Sequence, residues 1–175
     1  DQKLGDLGFS GMAREYGGLG LVYKARGDLD RAEEMHTKAL DMEKGLGRLD
    51  GMANQYCSLG LVHWARGQMD KAEDMHTRAL EIEMRLGRPE GMANAQANLG
   101  LVHQTRGDMD KAEPLYARAL EIDQRLGRLE GMACEYANLG LISQTRGDLD
   151  KAEGLLAKAL EINQKLGRAE GVATH

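Results

Sequence analysis

Apolar residues recur along this chain with helical spacing, in segments cut by glycine. From 89 to 106, Met92, Leu99, Leu101 and Val102 mark one segment, and Gly107-Asp108 interrupts it. A second follows with Met109, Ala112, Leu115-Tyr116, Ala119-Leu120, Ile122 and Leu126, and Gly127 interrupts again. Each is too long and too poor in β-branched residues for a strand, so the pattern predicts a pair of helices. The whole pattern then returns. Gly11-Met12-Ala13 recurs at Gly51, Gly91 and Gly131, with a partial copy at Gly171. Leu19-Gly20 recurs at Leu59, Leu99 and Leu139, Arg26-Gly27 at Arg66, Arg106 and Arg146, and Ala39-Leu40 at Ala79, Ala119 and Ala159. A period of about 40 residues belongs to arrays in which stacked modules share one continuous core. The expected fold is all-α: an α-solenoid of stacked antiparallel helix hairpins. Its modules are 10–49, 50–89, 90–129 and 130–169, after a degenerate lead-in at 1–9 and before the start of a truncated fifth copy at 170–175.

The helix ends carry their own signals. Gly47, Gly87, Gly127 and Gly167 each follow a Leu and are expected to close the second helices in the left-handed conformation. Asp30, Asp70, Asp110 and Asp150, each with Glu three residues on, read as capping boxes opening those helices. Pro89 suits a helix start, and Pro114 predicts a small local opening in an otherwise intact helix. Gly20, Gly60, Gly100 and Gly140 lie mid-helix, where glycine costs about 1 kcal/mol relative to alanine. Repetition of that cost implies close helix packing, with Ala32, Ala72, Ala112 and Ala152 as the expected partners.

Charge is mixed and mildly acidic: 23 Lys and Arg against 28 Asp and Glu, net −5. That balance argues against nucleic acid as a partner. No apolar run approaches a membrane span, and the first residues are not of signal-peptide type, which makes an intracellular, cytoplasmic location the default. Cys57 and Cys134 fall at different repeat positions two repeats apart, too far for a disulfide, and read as reduced packing residues.

These residues resemble the tetratricopeptide repeat. Its first-helix aromatic, Leu-Gly, second aromatic and turn glycine match Tyr16, Leu19-Gly20, Tyr23 and Gly27. Its second-helix Ala, aromatic and Ala-Leu match Ala32, His36 and Ala39-Leu40. The usual repeat is about 34 residues with a closing proline. Here that proline is absent and the second helix runs on, a longer form similar to the repeats of the spindle-orientation adaptors and, more loosely, of kinesin light chain. The resemblance implies a right-handed superhelix whose first helices line a concave groove for peptides or partner helices. Gln96 stands where Tyr16, Tyr56 and Tyr136 stand, and Leu156 replaces the second-helix aromatic. The resemblance transfers no ligand class. Leucines occupy the Asn position of the chaperone-tail clamp, and only Arg14 fits the spindle-adaptor groove pattern.

Catalysis has no foothold in this sequence: no Ser–His–acid grouping, phosphate-binding Gly loop or paired-carboxylate signature appears, so no enzyme activity and no cofactor is expected. His36 and His76 share one repeat position, His63 and His103 another. His63 and His76 are expected to face each other across a hairpin, but both are packing positions and no Cys or carboxylate completes a metal set. The many Asp and Glu are assigned to the solvent face of the second helices. The candidate site is the non-core stripe of the first helices: Arg14, Leu21 and Lys24, then Asn54, Leu61 and Trp64, then Asn94, Asn98, Leu101 and Gln104, then Asn138, Leu141 and Gln144. Its four leucines either offer an apolar face to a peptide or seal contacts between neighbouring first helices.

Three functions remain open: a scaffold binding a protein or peptide partner in the groove, a spacer or self-stacking array, and a regulatory sensor for an attached domain. A solenoid repeat buries its apolar face only against neighbours. Leu155, Ala159, Leu160 and Ile162 of the fourth second helix are therefore expected to form an end face, through which copies associate end to end.

Overall fold

A computed structural model describes the backbone of residues 2–173 and the side chains of residues 8–167. The described residues form eight helices and no strand: α1 (Gln2–Ala25), α2 (Leu29–Gly45), α3 (Leu49–Ala65), α4 (Met69–Leu86), α5 (Pro89–Thr105), α6 (Met109–Leu126), α7 (Leu129–Thr145) and α8 (Leu149–Ala173). They divide into two compact units, Asp1–Arg88 and Pro89–His175. In the first, α1 pairs with α2 and α3 with α4, and α2 also packs on α3. In the second, α5 pairs with α6, α7 with α8, and α6 packs on α7. Each unit is thus two hairpins with a second-type helix between two first-type helices.

The turns follow one rule. Gly27, Gly47, Gly67, Gly87, Gly107, Gly127 and Gly147 all have positive φ, between 64° and 83°. At Gly127 the reversal lets its own N–H bond to Gln124 O at 3.3 Å and Arg128 N–H bond to Asp123 O at 2.9 Å, satisfying carbonyls that the helix end leaves free. Gly167 departs from expectation: its φ is not positive, and α8 continues through it to Ala173. At Gly47 and Gly127 the reversed chain is held by the next first-type helix packing back. Among the described residues nothing packs there after Gly167, and the ordinary helical conformation persists.

The capping boxes are also displaced. The second helices begin at Leu29, Met69, Met109 and Leu149, so the cap position belongs to Asp28, Gln68, Asp108 and Asp148. Asp28 Oδ1 accepts from Arg31 N–H at 3.2 Å, and Asp148 Oδ1 from Lys151 N–H at 3.3 Å. Asp30, Asp70, Asp110 and Asp150 lie inside the first turn, where a negative charge favours the helix dipole. α6 runs unbroken through Pro114.

Alanines fill the narrow spaces between helices: Ala13, Ala32, Ala39, Ala53, Ala72 and Ala79 are fully buried, as are Ala95, Ala112 and Ala119. The side chain nearest each mid-helix glycine is larger than the expected alanine, and of the alanines Ala152 lies near Gly140, its carbonyl oxygen 3.5 Å from where a Cβ there would be. A Cβ on Gly20 would meet the His36 ring at 2.6 Å, one on Gly100 would lie 2.8 Å from Tyr116 Cε1, and one on Gly140 2.9 Å from Leu156 Cγ. Gly60 faces His76 in the same way. The glycine opens a slot for the large second-helix side chain. Burying such a side chain contributes about 1.5–3 kcal/mol, which more than offsets the roughly 1 kcal/mol helix cost of the glycine.

Candidate functional site

The stripe singled out on the first helices comes from residues spaced three and four apart, which a helix places on one face. In the first unit Arg14, Leu21 and Asn54 are exposed, and Lys24, Leu61 and Trp64 are half-buried. In the second, Asn94, Leu141 and Gln144 are exposed, and Asn98, Leu101, Gln104 and Asn138 are half-buried. The leucines therefore divide. Leu21 and Leu141 are 55% and 48% exposed, whereas Leu61 and Leu101 give up part of their surface to neighbouring helices. Two polar members are already engaged: Gln104 Oε1 accepts from the Tyr116 hydroxyl at 2.7 Å, and Asn94 Oδ1 from Arg128 Nη2 at 3.0 Å.

Beneath the stripe lies a layer of buried charge that the sequence reading assigned to solvent. Glu43, Glu83 and Asp123 share one repeat position near the end of a second helix, and all are buried. Each pairs with the arginine of the following turn: Glu43 with Arg48 at 3.4 Å, Glu83 with Arg88 at 3.5 Å, Asp123 with Arg128 at 2.9 Å. Gly51 and Gly131, on the next first helices, leave the room these carboxylates occupy. The signal was present as a constant spacing of acid, arginine and glycine, at Glu43, Arg48, Gly51 and again at Asp123, Arg128, Gly131. Burial still dominates at Asp123, whose carboxyl is held above its ordinary range although Arg128 pulls the other way.

Glu135 is the second buried acid of this unit. Its Oε2 has no partner, and burial pushes the carboxyl up to about 7, with Asp123 adding to the rise and Asn138 and Arg128 opposing it. Burial also governs the histidines. His76 is lowered to about 4, and its ring serves as a neutral packing piece against Gly60. His36 is lowered by burial, although its bond to Gln55 opposes the shift. The Gln55 oxygen only accepts, so that 2.9 Å bond places the His36 proton on Nδ1. His63 does not face His76: Nδ1 meets Gln68 Oε1 at 2.9 Å and Nε2 lies 3.9 Å from Glu33. Among the described residues no group of three His, Cys, Asp or Glu is arranged to hold a metal ion. Cys57 and Cys134 are both free thiols, Cys57 raised to about 11 by burial.

In the first unit the stripe opens into a pocket of about 380 Å³ between α1 and α3. Arg14, Gly17, Gly18 and Leu21 form one wall, Asn54, Gln55 and Ser58 the other, and His36, Glu43 and Arg48 also line it. Gly17-Gly18 makes it possible. The equivalent residues are Cys57-Ser58, Ala97-Asn98 and Ala137-Asn138, each bulkier.

The second helices carry a different, structural pattern. Arg66 bonds Asp30 at 2.6 Å and Glu33 at 2.7 Å; Arg146 repeats this with Asp110 at 2.6 Å and with Glu113. On α8 the proposed end face is differently composed from expectation. Leu155 is half-buried, packed on the cluster of Ala112, Tyr116, Leu139 and Ile142, and Ala159 and Ile162 are buried with it. These three turn toward the rest of the unit, while Leu160, at 58% exposed, joins Leu149 and Leu156 in the exposed row.

Helix hairpins repeating with one period, one second helix enclosed by two first helices in each unit and a variable stripe on the first helices define a helical-repeat protein of the solenoid class. The tetratricopeptide repeat family model matches residues 11–85, 51–125 and 91–165 in overlapping windows, and the chain belongs to that family. Among solved structures it is similar to BtubC (BKLC) from P. vanneervenii, with 26% identity over 89% of this chain and 64% of that one, at a TM-score of 0.79. MamA is 25% identical over 89% of this chain and 81% of its own, TM-score 0.66. Aspartyl phosphate phosphatase F from Bacillus subtilis, 17% identical over 90% of this chain and 42% of its own, shares the fold at a TM-score of 0.86. The chain thus spans less than two thirds of the length of BtubC and of the phosphatase. No curated protein sequence matches it closely enough to count as a relative. Tetratricopeptide repeats generally mediate protein–protein interaction, and the family is generally a non-enzymatic scaffold. No helix among the described residues is long and apolar enough to cross a membrane.

Proposed function

We propose that this chain is a protein-binding scaffold, without chemistry of its own, that holds an extended or helical peptide against the stripe of its first helices in the cytoplasm. The observation that carries this reading is the contrast between the stripe and the core. Core positions repeat nearly unchanged from module to module. The stripe varies at almost every position except its leucine, and Leu21 and Leu141 keep about half their surface open. Packing alone would not require that variation, whereas a ligand read module by module would. Exposed leucines flanked by Asn, Gln and Arg suit a peptide with an apolar anchor and free backbone groups. The test is selection from a displayed random peptide library, repeated with Leu21→Asp and with Leu141→Asp. Both leucines are exposed, so the variants should fold. The expected result is an enriched sequence motif whose binding is lost in at least one variant at unchanged helicity. Enrichment indifferent to both substitutions would overturn the assignment to the stripe.

End-to-end association of copies is a second reading, favoured by one observation. In each unit the large side chain of the middle second helix, His36 or Tyr116, is buried between the glycine of the preceding first helix and residues of the following one. The matching α8 row of Leu149, Leu156 and Leu160 is exposed. On α1, Met12, Leu19 and Val22 are exposed where α3 buries Leu59 and Val62. The α1 face of one copy therefore has the chemistry that the α8 face of another lacks, and such a heterologous contact would form open chains.

A further inference from the structure

We infer that the second unit seats a lysine or arginine side chain of its bound peptide beside Cys134 on α7, against the acids Glu130, Glu135 and Asp123. The inference rests on the groove reading and adds a charge preference to it.

The sequence of the two first helices sets the sign. α5 and α7 carry Glu90, Glu130 and Glu135 and no lysine or arginine. Cys134 stands at the stripe position of Asn94, and its thiol is free and exposed. Burial and, after it, the charges of Glu135, Asp123 and Glu130 all hold the proton on that thiol. One open point on the stripe therefore has acids of α6 and α7 around it. On α3 the positions of Cys134 and Glu135 hold Asn54 and Gln55, so the charge belongs to the second unit.

The cations at hand do not cancel these acids. Arg128 is shared, 2.9 Å from Asp123 and 3.8 Å from Glu90, with Asn94 Oδ1 at 3.0 Å. Arg125, in the last turn of α6, pairs with Glu121. The Glu130 side chain is exposed and makes no hydrogen bond or ion pair among the described residues. Burial supplies an independent observation. Glu135 is 3% exposed and its Oε2 has no hydrogen-bond partner. Only the Asn138 side chain and, through space, Arg128 favour its ionised form. A buried carboxylate left half-satisfied is costly, and a cation at the surface above it offsets part of that cost. Charge set below the surface is also less screened by salt than charge in water. Among the described residues no three acids, cysteines or histidines are arranged around a metal ion. The cluster offers a negative field without a coordination shell, which suits an ammonium or guanidinium on a side chain better than a divalent ion.

Cys134 itself reports the field. Its reaction with a cationic trimethylammonioethyl methanethiosulfonate and with the anionic sulfonatoethyl analogue is followed on the Cys134 peptide by mass spectrometry. The ratio of the two rates cancels the acidity of the thiol. Relative to N-acetylcysteine amide, the cationic reagent should gain about tenfold, less as salt rises, and Glu130→Gln should lower the gain at unchanged helicity. Binding is read by 15N–1H NMR titration of the whole chain with N-acetyl-lysine N-methylamide, N-acetyl-arginine N-methylamide, the uncharged norleucine analogue and calcium chloride. Saturable shifts at the Glu130, Cys134 and Glu135 amides are expected with at least one basic probe and not with norleucine. The basic probe that saturates first identifies the side chain. No preference for the cationic reagent, flat titrations with both basic probes, equal binding to Glu130→Gln, or tighter binding of calcium than of either basic probe would each overturn the seat. Failure here leaves peptides selected on Leu21 and Leu141 untouched, so it is distinguishable from failure of the groove reading.

Discussion

Replacing Glu135 by glutamine should stabilise the second unit above neutral pH and do little in acid. Glu135 is 3% exposed. Asp123 raises its proton affinity, Arg128 and Asn138 oppose, and Cys134 and Tyr116 are close enough to feel its charge. Burial is the largest cause, and it holds the carboxyl at about 7 against an ordinary 4.5. At about 1.4 kcal/mol per decade, that displacement corresponds to roughly 3 kcal/mol between protonated and ionised native states. The sign follows from linkage. Between 4.5 and 7 the native state holds a proton that the unfolded state has lost, so stability falls as pH rises through this window and levels off above it. Glutamine keeps the shape and removes the charge, and Gln55 occupies the same repeat position in the first unit. Urea unfolding followed by circular dichroism should therefore show Glu135→Gln roughly 2–3 kcal/mol more stable than the parent at pH 8 and equal to it near pH 4. A variant that is less stable at pH 8, or whose advantage is the same at both pH values, would refute the claim that this carboxylate is buried without adequate compensation.

Two glycines should respond oppositely to alanine. Gly100→Ala, whose Cβ meets Tyr116 at 2.8 Å, should cost about 1–2 kcal/mol by overpacking, whereas Gly154→Ala, with open space around it, should gain about 0.5–1 kcal/mol; thermal melts decide both. Asp28→Ala should lower stability by about 1 kcal/mol, and Asp30→Ala by less, because the cap bond belongs to Asp28. If copies associate end to end, light scattering should show mass growing with concentration, and Leu160→Lys should abolish the growth; a monomer at every concentration would remove that reading.

Most of the fold was legible because the repeat prints each signal several times. Glycines after a leucine, small residues at fixed intervals and helical apolar spacing each have a local physical cause, so they survive without knowledge of the neighbours. The errors arose where two local signals competed or where the cause was not local. Asp28 and Asp30 are both plausible caps, and what decides is the backbone reversal at Gly27 just before Asp28, which sets where the helix begins. Glu43 and Asp123 look like surface acids within charged helices; their burial depends on an arginine five residues on and a glycine eight residues on, across a turn. Glu135 had no such marker, since Glu15, Gln55 and Ala95 hold its repeat position, and they are exposed, half-buried and buried in turn. The stripe could be located from spacing alone. The pocket could not, because it depends on Gln55 being drawn toward His36 and on the missing side chains of Gly17 and Gly18 together.

The central claim is that partners are held by the first helices. Site-specific photocrosslinking tests it directly, with a photoreactive residue placed in turn at Leu21 and Leu141 on the stripe and at Thr37 and Gln164 on the exposed sides of second helices. The account predicts that, in cells of the source organism, the stripe positions trap a common partner and the second-helix positions do not. Trapping only from Thr37 and Gln164 would contradict it.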